Sequence, residues 1–261
     1  MKKYFRIWWQ LAVMSFKSQT NSPVSSSGYL LGKWVRLAFF IVFLMAIFRH
    51  TQSLAGYTLE ETALFFMTFN IVDILAQLFF RGIYGIRSIV RDGDFDYYLI
   101  QPTHLIWRVC FNTVDFLDVF TMIPVIAVTV YVMRHIPGAL TSSSLLLYTL
   151  LIINGLVIAF AMHLAVAALA VWTQEMDNTI WLYRDLMTLG RFPADIYNNT
   201  LRFAITFLIP IAVMVSVPAK AFLGRLTPGA YALAFIGAAA SLFVSLAFWQ
   251  FACRRYTSVS S

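Results

Sequence analysis

RGIYGIRSIVRDGDFDYYLIQP, residues 81–102, is the long stretch that is both charged and patterned in a chain made mostly of apolar runs. Its polar centre, Arg91-Asp92-Gly93-Asp94-Phe95-Asp96, reads as a turn. Gly93 accepts a positive φ, and the flanking carboxylates can cap local N–H groups. Large apolar residues stand on both sides, Ile86, Ile89 and Val90 before the turn and Tyr97, Tyr98, Leu99 and Ile100 after it. Pro102 then breaks the chain before the next apolar segment. A loop this rich in charge and aromatic rings, set between two membrane spans, is a candidate for docking a partner.

The setting follows from composition. Of 261 residues, 60% are hydrophobic and 12% charged, where a soluble domain carries roughly 25% charged residues. With a mean hydropathy of +0.75, the chain reads as an all-α polytopic membrane protein in one domain, residues 1–261. Its 24 Phe, 12 Tyr and 7 Trp suit lipid contact and interfacial belts. The two cysteines, Cys110 and Cys253, fall at span ends on one side and make no disulfide framework. The net charge of +7 raises nucleic acid as a partner, but its distribution along the chain fits membrane topology better.

Residues 1–19 are not a signal peptide, because Arg6 and Lys17 interrupt the apolar run and no cleavage site follows. As a helix, Lys3, Arg6, Gln10 and Lys17 line one face, with Phe5, Trp8, Trp9, Ala12 and Phe16 away from it. That pattern predicts an interfacial helix lying on the membrane. Residues 21–27, NSPVSSS, read as a loop. Spans are then expected at about 32–48, 62–80, 114–133, 145–172, 201–217 and 230–251, each near the ~20 residues a crossing needs. Lys33 and Arg36 would snorkel from the first to the interface. The region 81–104 forms a loop after the second span, and 174–200 is a polar-aromatic connection broken by Pro193.

Charge orients the spans. With the N-terminus in the cytoplasm, 15 basic residues fall inside and 4 (Arg49, Arg134, Lys220, Arg225) outside, which places both termini and residues 81–102 in the cytoplasm. The count assigns Arg184, Arg191 and Arg202 to the inside.

Several chemistries are excluded on spacing. Asp92-Gly93-Asp94-Phe95-Asp96 opens like a calcium loop, but its glycine is misplaced and the twelfth position is Thr103. Gly28 to Lys33 is one residue short of a phosphate loop, and Trp34 follows the lysine. No HExxH or GxSxG occurs. Glu60-Glu61 sits at a span end without a basic partner a turn later. The four histidines are scattered and make no metal set. Asn198-Asn199-Thr200 matches a glycosylation sequon on the side assigned to the cytoplasm. What remains is Asn70, Asp73 and Gln77, which share a helix face within the second span, and His163 within the fourth. Such groups at membrane depth either line a pathway or fix packing by interhelical hydrogen bonds worth about 0.6 kcal/mol each. Asp115 and Asp118 lie at the inner end of the third span within reach of Arg108, and Pro124 and Pro210 are placed to kink their spans.

The pattern of six spans, an amphipathic N-terminal helix and a cytoplasmic loop after the second span resembles the permease subunits of type-2 ABC transporters, the ABC-2 superfamily. Residues 89–102, IVRDGDFDYYLIQP, look like the stretch I-x-x-G-x-[FL]-D-x-x-L-x-x-P of one bacterial branch. Arg191-Phe192-Pro193 through Tyr197, then Ile209-Pro210 and Val217-Pro218-Ala219, are similar to that branch's later R-[YF]-P-x-x-[IL]-Y … P … P-A pattern. The resemblance implies a multi-pass protein of the bacterial cytoplasmic membrane without enzymatic activity. ATP and magnesium would be held by a separate ATPase, present in two copies. A second permease chain, homologous or identical, would complete the pathway. It further implies that residues 93–102 are a coupling helix, with Phe95, Tyr97, Tyr98 and Leu99 as apolar anchors. Arg87, Arg91, Asp94 and Asp96 would form the polar rim, and Gly93 and Pro102 would bound the contact. The branch mostly exports, with drug-like or cationic compounds among the implied substrates.

Two other functions fit parts of the chain. Asp92, Asp94 and Asp96 would serve a lipid-modifying enzyme that held a metal and a diphosphate, given further carboxylates among Asp115, Asp118, Glu175, Asp177, Asp185 and Asp195. Asp73 would serve an ion-coupled carrier, although no inverted repeat is visible.

Overall fold

The computed structural model describes residues 2–174 and 179–257, and among these there is no strand beyond one isolated bridge between Leu54 and Tyr57. α1 (Lys2–Thr20) and α2 (Pro23–Phe48) meet at a two-residue elbow. Pro23 opens α2, where its missing N–H leaves no gap in the helical ladder. α3 (Leu59–Phe80) starts on a capping box: Glu61 N–H donates to the Thr58 hydroxyl at 3.3 Å, and Thr58 N–H donates to the Glu61 carboxylate at 3.0 Å. It runs through a 3₁₀ turn, Arg81–Gly85, into α4 (Ile86–Arg91), giving a helical rod of 33 residues. The short α5 (Phe95–Ile100) and α6 (Leu105–Cys110) follow. α7 (Leu117–His135) contains Pro124, and α8 (Ser142–Thr173) is 32 residues long. At 1.5 Å per residue α8 spans about 48 Å, well past a 30 Å hydrocarbon layer. Then come α9 (Thr179–Met187), a 3₁₀ turn Thr188–Arg191, α10 (Asn199–Phe203), α11 (Ile211–Phe222) and α12 (Pro228–Arg255).

Side-chain contacts fix which ends of these helices share a side. The Gln174 amide at the end of α8 donates to the Thr257 carbonyl past α12 at 3.0 Å. Phe95 stacks edge-on against Tyr256 at 4.9 Å, and Tyr4 of α1 lies 5.1 Å from Trp107 of α6. The ends of α8 and α12, the start of α1 and helices α4–α6 therefore lie together at what we term the near end. At the far end, the Arg225 guanidinium donates to Glu61 at 2.7 and 2.9 Å and to the Gly56 carbonyl at 3.1 Å.

The segment between α8 and α12 departs from the sequence expectation. Residues 199–208 and 211–222 are two helices bent by 98°, not one kinked span over 201–217. Both outer ends of this pair return to the far end. Asp195 meets Lys220 at 2.7 Å and Arg202 at 3.6 Å, and accepts the Tyr57 hydroxyl hydrogen at 2.8 Å. The bend at Ile209-Pro210 dips into the bundle. Ile211 and Val215 press on Gly190 beside Phe69, halfway along α3. The pair is a re-entrant hairpin, and the fifth crossing is made by residues 179–195, part of the region read from sequence as a connection. α9 and its 3₁₀ turn supply roughly 20 Å of that path. Pro210 supplies the reason: it lacks the N–H that would continue α10 into α11. Arg202 and the Asn198–Thr200 sequon consequently lie at the far end, opposite to their sequence assignment.

Burial ranks the helices. Two thirds of the most apolar stretch of α3 (67%) is buried, against 11% for α2 and 22% for α12. α3 and α8 are the central posts, and α11 packs closely on α8, where a Cβ on Gly155 would sit 2.8 Å from the Met214 carbonyl. α2 and α12 face outward with apolar side chains such as Phe39, Val42, Phe43, Phe243 and Val244. α1 lies across the near end, with Trp8 stacked on Phe79 at 6.1 Å and Phe16 edge-on to Phe116 at 4.9 Å. Phe5, Trp9 and Met14 remain exposed along it, as a helix lying in the interface requires.

Candidate functional site

The stretch 81–104 folds as a small helical platform at the near end. Gly93 takes φ +81° and turns the chain from α4 into α5. The platform is held close to the end of α3. A Cβ on Gly82 would lie 2.4 and 2.7 Å from the Val109 and Cys110 carbonyls of α6, so only glycine fits there.

The expected aromatic anchors divide by helical period. Phe95 and Tyr98, three residues apart, point inward. Phe95 is 0% exposed, wedged edge-on to Trp249 at 6.4 Å and to Tyr256. The Tyr98 hydroxyl accepts from the Asn112 side-chain amide at 2.9 Å, and the Arg108 guanidinium lies 5.1 Å from its ring centre. Burial raises the Tyr98 pKa, keeping the hydroxyl protonated. These two rings fasten the platform to α12 and α6. Tyr97 (61% exposed), Leu99 (48%) and Ile100 (79%) form the outward ridge. Around it stand Arg91 and Asp92, paired at 3.0 Å, with Asp94 and Pro102 exposed and Arg87 and Asp96 half-buried. Among the described residues no three His, Cys, Asp or Glu side chains gather as a metal set. Glu175 and Asp177 lie outside the described residues.

The polar face of α3 is tied down residue by residue. The Asn70 amide donates to the Phe66 carbonyl at 2.7 Å. The Asp73 carboxylate is 3.8 Å from the Arg184 guanidinium of α9. Gln77 donates to the Tyr84 hydroxyl at 2.7 Å and accepts from Arg81 at 2.9 Å. His163 of α8 is buried, with Nδ1 on the Ala159 carbonyl at 2.8 Å and the ring among Phe80, Tyr84 and Tyr183.

These groups belong to a charged layer that is legible in the sequence only in fragments. The Lys33 ammonium of α2 binds the Asp118 carboxylate of α7, which is buried. Lys33 does not snorkel. The Tyr29 hydroxyl donates to Asp115 at 2.9 Å, with Arg81 at 4.0 Å from the same carboxylate. Arg108, the partner expected for these acids, is instead on Tyr98. A readable signal was the pair of acids three residues apart, Asp115 just before α7 and Asp118 in its first turn, opposite Lys33 of α2.

Among the described residues of this layer, the cations Lys33, Arg36, Arg81, Arg184 and Arg191 stand near the carboxylates Asp73, Asp115 and Asp118. The ion pairs use Lys33, Arg81 and Arg184. Arg36 and Arg191 line one narrow cleft with Leu37, Phe40, Phe66, Phe69 and Asn70, and neither has an ion pair among the described residues. Arg191 lies 5.9 and 5.5 Å from the Phe40 and Phe69 ring centres. Such contacts return about 0.5–1 kcal/mol, rising to ~2 when desolvated. An arginine at the bilayer centre costs at least about 2.5–3.5 kcal/mol, so the cleft faces water or protein and not lipid tails.

A family model described as ABC-2 family transporter protein matches residues 34–260. Comparison with curated proteins and with solved structures finds no match. The matched region takes in the helical bundle from within α2 onward, the platform and the re-entrant hairpin, and on that extent the chain belongs to the ABC-2 transporter family.

Proposed function

We propose that the chain is the membrane-spanning permease subunit of an ATP-driven exporter, worked by a separate ATPase that docks on the α4–α6 platform. The observation that carries this reading is the ridge of Tyr97, Leu99 and Ile100. Three large apolar side chains are held outward on a short helix whose other face is locked into the bundle by Phe95 and Tyr98. Apolar and aromatic side chains ringed by charge are the usual anchors of a protein interface. The locking makes the platform a lever: a push on α5 reaches α12 through Phe95 and reaches α3 through the close Gly82–α6 contact.

The near end is assigned to the cytoplasm, since most of the basic residues remain there after Arg202 moves to the far end. The weakly buried α2 leaves a face for a second permease chain, identical or homologous. ATP and magnesium are then bound by two copies of the ATPase, and this chain supplies no catalytic group. Export is tested with inside-out vesicles carrying the complex. ATP should drive uptake into them, and the triple variant Tyr97→Ala/Leu99→Ala/Ile100→Ala should abolish it. Uptake that persists without ATP or in that variant refutes the reading.

A further inference from the structure

We propose that a second copy of this chain packs on the joint face of α2 and α9, with Arg36 of each copy paired to Asp185 of the other. The inference deepens the permease reading by naming the second chain, and rests on that reading only for the claim that the pair forms one transport pathway.

Three observations converge on this face. First, the bundle leaves these two charges unmatched. Asp73 binds Arg184 at 3.8 Å and draws on Arg191 at longer range, Asp118 binds Lys33, and Asp115 takes the Tyr29 hydroxyl hydrogen with Arg81 beside it. Arg36 and Asp185 are both exposed, and among the described residues neither has an ion pair. Lipid tails solvate neither charge. An anionic headgroup would answer Arg36 and leave Asp185, whereas a copy of this chain answers both.

Second, the two charges lie at one depth. Arg184, the residue before Asp185, reaches Asp73 of α3, and Arg36 lines its cleft with Asn70, three residues away on the same helix. That spacing is a rise of about 4.5 Å, less than one turn. A two-fold axis along the membrane normal keeps every group at its own depth, so a cation and an anion at one depth meet their opposites in the next copy.

Third, they share a face. The fifth crossing runs beside α2, with the Phe192 ring 5.5 Å from the Phe40 ring and the Arg191 guanidinium 5.9 Å from the same ring. α9 turns Ile180, Tyr183 and Met187 inward, and Trp181 and Leu182 outward with Asp185. On α2, Tyr29, Gly32, Arg36, Phe39 and Phe43 are alternately three and four residues apart, and all are exposed. That spacing is the seam by which one helix packs along another. A Cβ on Gly32, one turn from Arg36, would meet nothing within 4 Å, so a partner helix can approach closely there.

The test co-expresses the full chain with two different tags and measures the recovery of one form on the other in neutral detergent, with light scattering for the mass of the assembly. The parent chain should associate with itself. Arg36→Asp sets acid against acid at both contacts, and Asp185→Arg sets arginine against arginine. Each reversal alone should lower recovery at least tenfold. Co-expressed with each other, the Arg36→Asp chain and the Asp185→Arg chain should associate as the parent does, because both contacts are again cation against anion. Mixing cannot repair damage inside a chain, so this rescue separates an interface from misfolding. Arg134→Asp, at the far end of α7, is the control and should leave recovery unchanged. A parent that does not self-associate, a reversal that leaves recovery unchanged, or a mixed pair that stays apart overturns the proposal. So does recovery of a different permease chain in place of the copy, or association that follows added phosphatidylglycerol and not the two charges. A pair that follows the charges but drives no ATP-dependent uptake keeps this interface and refutes the permease reading. ATP-driven uptake by a chain whose assembly is indifferent to both charges does the reverse.

Discussion

Gly82→Ala separates a seated platform from a loose one. A Cβ at residue 82 would lie 2.4 Å from the Val109 carbonyl, 2.7 Å from the Cys110 carbonyl and 2.9 Å from the Asn112 nitrogen. All three are backbone atoms, so no side-chain rotation relieves the overlap, and α6 must move off the end of α3. Overpacking of this kind costs typically 1–3 kcal/mol, and three simultaneous backbone clashes place it near the upper figure. About 3 kcal/mol is on the order of a hundredfold in the population of the seated platform. Gly85 lies three residues on, and a Cβ there meets nothing within 4 Å, so Gly85→Ala is the matched control. Limited proteolysis between α4 and α6, with apparent melting followed by tryptophan fluorescence, reads the difference. Gly82→Ala should be cut faster by one to two orders of magnitude, and Gly85→Ala should match the parent. Equal protection of Gly82→Ala and the parent refutes the lever, because α6 would then not bear on α3.

Phe95→Ala removes a fully buried ring and should cost about 3–5 kcal/mol of stability, whereas Tyr97→Ala and Ile100→Ala, both exposed, should melt with the parent. Asp118→Leu strands Lys33 in the layer and should cost about 3–5 kcal/mol, while Lys33→Met/Asp118→Leu should recover most of the yield in detergent. Asp195 closes the far-end latch on the hairpin. Burial works against its charge, and the hydrogen bonds from Lys220 and Tyr57, with the charges of Lys220 and Arg202, outweigh burial and lower its pKa below 3.8. A depressed folded-state pKa means that the latch is complete above the ordinary carboxylate pKa and is lost as pH falls through the lowered value. A maleimide reporter on Asn199→Cys should thus label slowly at pH 7, and Asp195→Asn should label fast at that same pH.

Much of the architecture was legible because α3, α8 and α12 are long apolar runs whose hydropathy needs no tertiary information. The turn at Gly93 was legible for a similar reason, since Asp-Gly-Asp has few other backbone solutions. The fifth crossing was not. Arg184, Asp185 and Arg191 depress the hydropathy of residues 179–191, whereas in the bundle Arg184 meets Asp73 and Arg191 lies against the Phe40 and Phe69 rings. The hairpin was hidden by the opposite effect: residues 201–217 are apolar enough to cross, and only the return of Lys220 and Arg202 to Asp195 shows that they do not. At the platform, Phe95 and Tyr98 differ from Tyr97 and Ile100 by helical phase alone. Composition identifies an aromatic helix there, and packing against Trp249 and Tyr256 decides which edge faces out.

The most direct test of the account is affinity purification of the tagged full chain from its own host in mild detergent, with ATP hydrolysis measured on what is retained. An ABC ATPase should be retained with the parent chain and with Arg134→Gln. It should be lost from Tyr97→Ala/Leu99→Ala/Ile100→Ala, while that variant keeps the parent's melting temperature. A parent chain that carries no ATPase, or a triple variant that retains it in full, contradicts the assignment of the α4–α6 platform as the site where ATP hydrolysis is coupled to transport.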